Sequence, residues 1–320
     1  MKRKMSTALE KKKTEKQHSR CGKRSYYAEL YGMMALPLLK VLLFSYVPMF
    51  GLIIAFKDYK FNKGILGSRW VGLKNFDFFL KSNDFLVVTR NTILLNLLFI
   101  VAGILAALIL AILLYNVTSR KATKVLQTMY ITPNFVGWVL VSYLVYAFLN
   151  PQYGMLNGFL NSIGLEEVSW YSEPKYWPFI LTVVNTWKIV GMDSVIYYAA
   201  LMGIDESLFE AAKIDGANSS QITRKIMIPE IMSIITILSI LKVGNIFKGD
   251  FGLFYQVTMN SALLYDVTDV VDTYVYRTMK ETNNMSLSTA VGFIQSVVGM
   301  IMVVGTNWLS KKIDKDNGLF

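Results

Sequence analysis

The side chains that most often break bonds are nearly missing from this 320-residue chain, and those that occur crowd one end. The single histidine, His18, and the single cysteine, Cys21, lie within Met1 to Arg24, a stretch with ten Lys and Arg against Glu10 and Glu15. A histidine triad, a Cys-based metal site or an internal disulfide has nothing to stand on. No Gly-x-x-x-x-Gly-Lys-Ser/Thr phosphate loop occurs, so ATP hydrolysis by that route requires another chain. What remains is binding chemistry. Lys188, Asp193 and Lys242 sit inside apolar runs, where charge is costly and tends to face a cavity or a partner. Beside them, Asn185, Trp187, Tyr197, Tyr198 and Asn245 offer hydrogen-bonding groups and flat aromatic faces, which is what a sugar site uses. Two outcomes compete for the lysines. They line a positive pathway suited to uronate-bearing sugars, or they snorkel or pair with carboxylates between helices.

The elements that must position these residues are membrane spans. Hydrophobic residues make up 53% of the chain and charged residues 17%, with mean hydropathy +0.40, too apolar for an ordinary soluble protein of this length. Long runs with few charges occur at about 31–56, 92–115, 125–149, 177–202, 228–247 and 288–309. Each reaches or approaches the roughly 20 residues that cross a hydrocarbon core of about 30 Å. The expected fold is all-α and polytopic, with six transmembrane helices over residues 29–320. The first span is too long for the apolar part of a signal peptide and should be retained.

Net charge is +11, but the first 24 residues leave only +3 for the rest, so residues 1–28 form a basic tail on a near-neutral body. Such a tail is expected to be disordered and held near anionic headgroups, not to bind nucleic acid. The tail, Arg120 with Lys121 and Lys124, Arg224 with Lys225, and Lys311, Lys312 and Lys315 share one side if there are six spans. Positive loops mark the cytoplasm, which puts both termini there. The first external loop is an exception, with Lys57, Lys60, Lys63, Arg69, Lys74, Lys81 and Arg90. Long loops translocate largely regardless of charge, so its length removes it from the count. External aromatics, among them Trp70, Phe76, Phe78, Phe79, Trp170, Tyr171 and Trp177, read as belt anchors or as part of a docking face. On the second span, Gly103, Ala106, Ala107 and Ala111 provide a small-residue stripe for close helix packing.

One polar stretch between apolar runs has a spacing of its own. Residues 210–229 read EAAKIDGANSSQITRKIMIP. Asp205 or Ser207 can cap a short helix, and Ser207 with Glu210 has capping-box spacing. Ala211 and Ala212 leave a low-profile surface on which a groove can close. Gly216 permits the positive φ that ends the helix, Asn218 or Ser219 can cap the next, and Pro229 suits the beginning of the following span. The product is a short lever across the membrane face.

This spacing, Glu210-Ala211-Ala212, then Asp215-Gly216, then Ile226 and, after Ile228 in place of the usual Leu, Pro229, resembles the cytoplasmic coupling loop of permease subunits in ATP-binding cassette importers. The stretches at 46–61, 70–76 (WVGLKNF), 90–92 (RNT), 196–205, 250–258 (DFGLFYQVT) and 269–277 (DVVDTYVYR) are similar to the carbohydrate branch of that family, from about Tyr31 to the C-terminus. The resemblance implies a type I importer permease fold with a coupling loop at 203–229, in the cytoplasmic membrane of a bacterium. It implies a non-enzymatic conduit for oligosaccharides working by alternating access, with a non-sugar cargo such as a polyamine, phosphate or peptide as the alternative. It implies as partners a second related permease, two copies of an ATPase that binds ATP and Mg, and an extracellular sugar-binding lipoprotein. No cofactor or metal is expected in this chain.

Overall fold

Apolar length decides most of the architecture, and polar breaks decide the rest. The computed structural model describes residue 27 and residues 29–313. The basic tail apart from Tyr27, with His18 and Cys21, and residues 314–320 lie outside the described residues. The first long helix, α1, spans Glu29–Phe56 and loosens near its end into a π turn at Leu42–Tyr46 and a 3-10 stretch at Val47–Phe56. Pro48 at the head of that stretch has no N–H to continue the α ladder, which gives the change of winding a local cause. Only the last residues of α1 bury side chains, at Ile54 and Ala55.

A two-stranded antiparallel ribbon follows, β1 at Lys57–Asp58 and β2 at Arg69–Trp70, with Lys57 opposite Trp70. A short helix, α2 (Lys74–Leu80), then leads into α3 (Asn83–Tyr115), 33 residues without a break. The apolar run predicts a start at residue 92; the helix begins nine residues earlier. Ser82 accepts the Phe85 N–H at 3.3 Å, and this cap lets the helix start in the polar segment before the apolar run.

The run predicted as one span over 125–149 is two helices, α4 (Arg120–Phe135) and α5 (Trp138–Leu149), bent by 98°. Pro133 opens a 3-10 turn and Gly137, in extended conformation, restarts the chain. After a short helix at Met155–Ser162 come α6 (Trp177–Leu201) and α7 (Glu206–Ile214). The predicted 228–247 span is likewise divided, into α8 (Ser219–Glu230) and α9 (Met232–Gly244), bent by 62°. Pro229 therefore sits just before a joint, not at the start of a straight span. Having no N–H, it cannot pair with the preceding turn, and Thr223–Met227 is wound as a π turn there. Two more helices complete the chain, α10 (Val271–Lys280) and α11 (Met285–Ile313). Among the described residues four helices are long and apolar enough to cross a membrane, and six spans result if each bent pair is one.

The core lies between α3 and α6. Gly103, Ala107 and Ala111 are buried on α3 with Tyr197 and Leu201 of α6 beneath them, so the small-residue stripe seats the two backbones. A second cluster joins Leu95, Phe99, Val141, Leu181 and Trp177 to the segment Leu253–Val257. Trp177 is therefore a core residue, donating from Nε1 to the Trp170 carbonyl at 2.8 Å. Phe76 and Phe79 are buried as well, whereas Trp70 and Phe78 stay exposed. Large apolar side chains such as Leu36, Phe44 and Phe50 of α1 face outward, as expected where hydrocarbon is the solvent.

Candidate functional site

Helix α7 is built by caps at both ends. Asp205 Oδ1 accepts the Ser207 N–H at 2.9 Å, and this bond holds its carboxyl below the usual 3.8. Ser207 is inside the helix and does not cap it; the expected Ser207–Glu210 box is replaced by Asp205. At the other end Gly216 adopts φ +80°, the Ala217 N–H reaches the Ala212 carbonyl at 2.9 Å, and the Gly216 N–H reaches Lys213 at 3.1 Å. That pair of bonds is a Schellman stop, so Gly216 acts as the sequence predicts. Asn218 then opens α8 in a reciprocal box with Gln221, at 2.9 and 2.8 Å.

The lever is anchored by Phe209. Its buried ring packs against Tyr115, the last residue of α3, with centroids 5.7 Å apart, within a cluster containing Met227 and Ile231. Opposite this anchor, Glu210, Ala211, Asp215 and Gly216 are exposed, and Ala212 and Ile226 are half-buried. Leu208 and Ile214 are also open, Ile214 at 86%. Leu208, Ala211 and Ile214, three apart, form an apolar strip on the outer side of α7.

The candidate pathway residues separate into three places. Asn185, Lys242 and Asn245 meet at a cavity of about 210 Å³ that Asn96 and Lys248 also line. Lys242 donates to Asp193 at 2.5 Å, the interhelical ion pair that the sequence allowed. A second cavity of about 320 Å³, lined by Phe247, Asp272 and Gln295 among others, shares Gly244, Asn245 and Lys248 with α9 and its exit. The adjoining hollows make one polar groove along α9. Lys188 is not in it. Its buried ammonium donates to the carbonyls of Pro133, Asn134 and Val136 at 3.3, 2.9 and 2.6 Å, and lies 5.0 Å from the Trp138 ring centre. These carbonyls line the 98° break, so the charge is spent on stapling the joint rather than on snorkelling or a carboxylate. Tyr197 is fully buried in the core, and Trp187 is partly exposed.

Two pairs of distant segments clasp one another, and a third contact closes the 269–277 segment on itself, roles that the residue types alone did not reveal. In the RNT segment, Asn91 Nδ2 donates to the Asp266 and Asp269 carbonyls at 3.0 and 3.1 Å, and Thr92 Oγ1 accepts the Val271 N–H at 3.1 Å. Within 269–277, Arg277 grips Asp269 with two nitrogens while Thr273 donates to the same carboxylate at 2.7 Å. Burial, the larger influence, raises the Asp269 carboxyl above its usual range although Arg277 opposes it. In the DFG segment, Asp250 accepts from Trp138 Nε1 at 2.9 Å, and a Cβ at Gly252 would stand 2.1 Å from the Trp138 ring. The available signal was that these short polar motifs recur in strongly apolar surroundings.

Comparison with known proteins agrees with this architecture. Residues 100–315 match the family described as binding-protein-dependent transport system inner membrane component. Protein LplB of Bacillus subtilis (strain 168) is 36% identical over 291 residues, 91% of each chain. The polygalacturonan/rhamnogalacturonan transport system permease protein YteP of the same organism is 34% identical over 287 residues, 90% of this chain and 89% of the relative. Among solved structures, a chain of a bacterial ABC transporter involved in the import of the acidic polysaccharide alginate superposes with TM-score 0.81 at 32% identity, covering 91% of this chain and 97% of that one. The same type of transporter in complex with an alginate pentasaccharide-bound periplasmic protein gives TM-score 0.80. A capped lever, broken spans, a polar groove and full-length similarity converge: the chain belongs to the binding-protein-dependent transport system inner membrane component family.

Proposed function

We propose that this chain is the permease subunit of an ATP-binding cassette importer that carries oligosaccharides across the cytoplasmic membrane by alternating access. The observation that carries the reading is α7: a short helix fixed at both ends, anchored by Phe209, with an apolar strip turned outward. Such a helix is suited to sit in the groove of a separate ATPase, which supplies ATP hydrolysis with Mg, and to pass its movement into α6 and α8. Glu210, Ala211, Ala212, Asp215, Gly216, Ile226 and Pro229 are assigned to this coupling. A second related permease completes the pathway, and a sugar-binding lipoprotein delivers cargo at the end opposite α7. Both termini are assigned to the cytoplasm. Asn185, Lys242 and Asn245 are the cargo-facing residues, with Asp193 holding Lys242 in place. Saccharide is favoured over a polyamine, phosphate or peptide because the similar proteins named for a cargo handle polygalacturonan, rhamnogalacturonan or alginate.

The test is reconstitution of the purified complex in vesicles, with ATP hydrolysis and labelled oligosaccharide uptake measured together. Gly216→Val is the informative variant. A β-branched residue at φ +80° costs about 1–2 kcal/mol locally and misdirects the exit of α7. The complex should assemble and hydrolyse ATP while uptake falls at least about tenfold, a barrier change of about 1.4 kcal/mol. Undiminished uptake would reject the lever.

A further inference from the structure

The segment from Lys57 to Arg90, the loop after α1 and the first turns of α3, carries seven basic residues on a side where few are expected, and the structure shows which of them the fold uses. Lys57 donates to the Ile65 and Leu66 carbonyls at 2.7 and 3.3 Å. Lys81 pairs with Asp77 at 2.8 Å, Lys60 with Asp58 at 3.5 Å, and Arg90 donates to the Asp266 carbonyl at 2.7 Å. Arg69 and Lys74 carry exposed side chains that, like that of Lys63, make no hydrogen bond or ion pair among the described residues. Both line one polar cleft of about 530 Å³, together with Asp58, Trp70, Val71 and Asn75. That volume lies within the usual range of small-ligand sites.

The cleft is preformed. Trp70 stacks on Phe56 with the planes 8° apart and centroids at 5.7 Å, yet is 57% exposed. Phe56 is in turn wedged against Phe76 and against Phe293 of α11. Asn75 Nδ2 is held by the Ala55 and Lys57 carbonyls at 2.8 and 3.0 Å, which fixes the carboxamide at the cleft wall. The Tyr59 N–H bonds Ser286 at 2.8 Å and ties the ribbon to α11. An indole with a fixed orientation offers an apolar plate for a pyranose ring, and a guanidinium and an ammonium beside it are the partners a carboxylate takes. Asp58, the one acidic group at the wall, pairs with Lys60 at 3.5 Å, so basic groups outnumber it there.

We infer that this cleft is an accessory binding site for carboxylate-bearing saccharides, separate from the groove along α9 and on the face opposite the lever. The cleft shares no lining residue with the groove, and α3, whose Asn83 end adjoins the loop and whose Tyr115 end holds Phe209, separates it from the lever: 33 residues at 1.5 Å each span about 50 Å. The site rests on the importer reading for its outer side and its ligand class, but binding needs no transport step, so its failure and the failure of that reading are distinguishable. Its role is to concentrate acidic oligosaccharide at the mouth.

Direct titration calorimetry tests it, using the full-length chain with its copurifying permease and ATPase in nanodiscs and no binding protein. Trigalacturonic acid is the acidic probe and maltotriose the neutral one. Trigalacturonic acid should bind saturably, at least about tenfold tighter than maltotriose, and lose affinity as salt is raised. Arg69→Gln with Lys74→Gln, or Trp70→Ala alone, should each weaken it at least about tenfold; neither basic side chain makes a hydrogen bond or ion pair among the described residues, so folding is spared. Equal binding of maltotriose, no saturable binding, or affinity unchanged in the double variant would overturn the site. So would binding that responds to Asn245→Ala and not to the cleft variants, which places the sugar in the groove. A double variant that loses capture of the binding protein, with no direct sugar binding by the parent, would overturn it in favour of a protein-docking face.

Discussion

Lys188 brings a charge into the interior with no acidic partner, and the geometry explains how it is tolerated. Three carbonyls freed by the turn at Pro133 converge on its ammonium, and Trp138 covers one side. The Pro133 carbonyl also accepts the Val136 N–H at 3.1 Å, but those of Asn134 and Val136 would otherwise be unpaired at the break, and each unmet buried group costs about 1–3 kcal/mol. Lys188→Met keeps the length of the side chain and removes the donors. It should destabilise the protein by about 1–3 kcal/mol and loosen the joint, read as increased proteolysis and amide exchange over residues 132–138. Lys188→Arg should restore part of the protection. Exchange unchanged in Lys188→Met would show that the staple does not hold the break. The sequence marks Lys188 as costly but not where it points, because its partners are 52 to 55 residues away and exist only once the helix breaks. Lys242 was more legible: an acidic residue, Asp193, was available within another apolar run.

Local elements obey local rules, and here the sequence was close to the structure. Gly216 and Asn218 do what their residue types dictate, and α7 ends within a residue of the expected turn. Of the two caps that the sequence offers, Asp205 and Ser207, the structure uses Asp205, whose carboxylate takes the exposed Ser207 N–H. Its pH behaviour follows. The folded value lies below the ordinary one, so the stabilisation is complete above the ordinary carboxylate range and is lost as pH falls through the lowered value. Amide protection across residues 208–214 should thus be flat between about pH 5 and 8, and Asp205→Ala should lower it throughout. A protection step near neutral pH would contradict the cap. The bends at 136 and 231 were not legible, because an apolar run looks the same to a hydropathy count whether it is straight or broken.

For the whole molecule, the number of crossings and the side on which α7 lies are one question. If each bent pair is one span, the four continuous helices and two pairs make six crossings, an even number that returns the chain to the side from which it started. Lys213, exposed on α7, reports that side. In a Cys21→Ser background, Lys213→Cys should react with a membrane-impermeant maleimide in inverted vesicles and stay unlabelled in right-side-out cells. Labelling from outside would reverse the topology.

Helix α3 runs 33 residues with no proline and no break, while two of its neighbours fold over at sharp corners. A shaft without a joint keeps its length under load, so any change of angle at the corners has to pivot around it. The chain is thus divided into an axle and two elbows. The end that carries the Trp70 cleft and the end that carries α7 are thereby held at a fixed spacing.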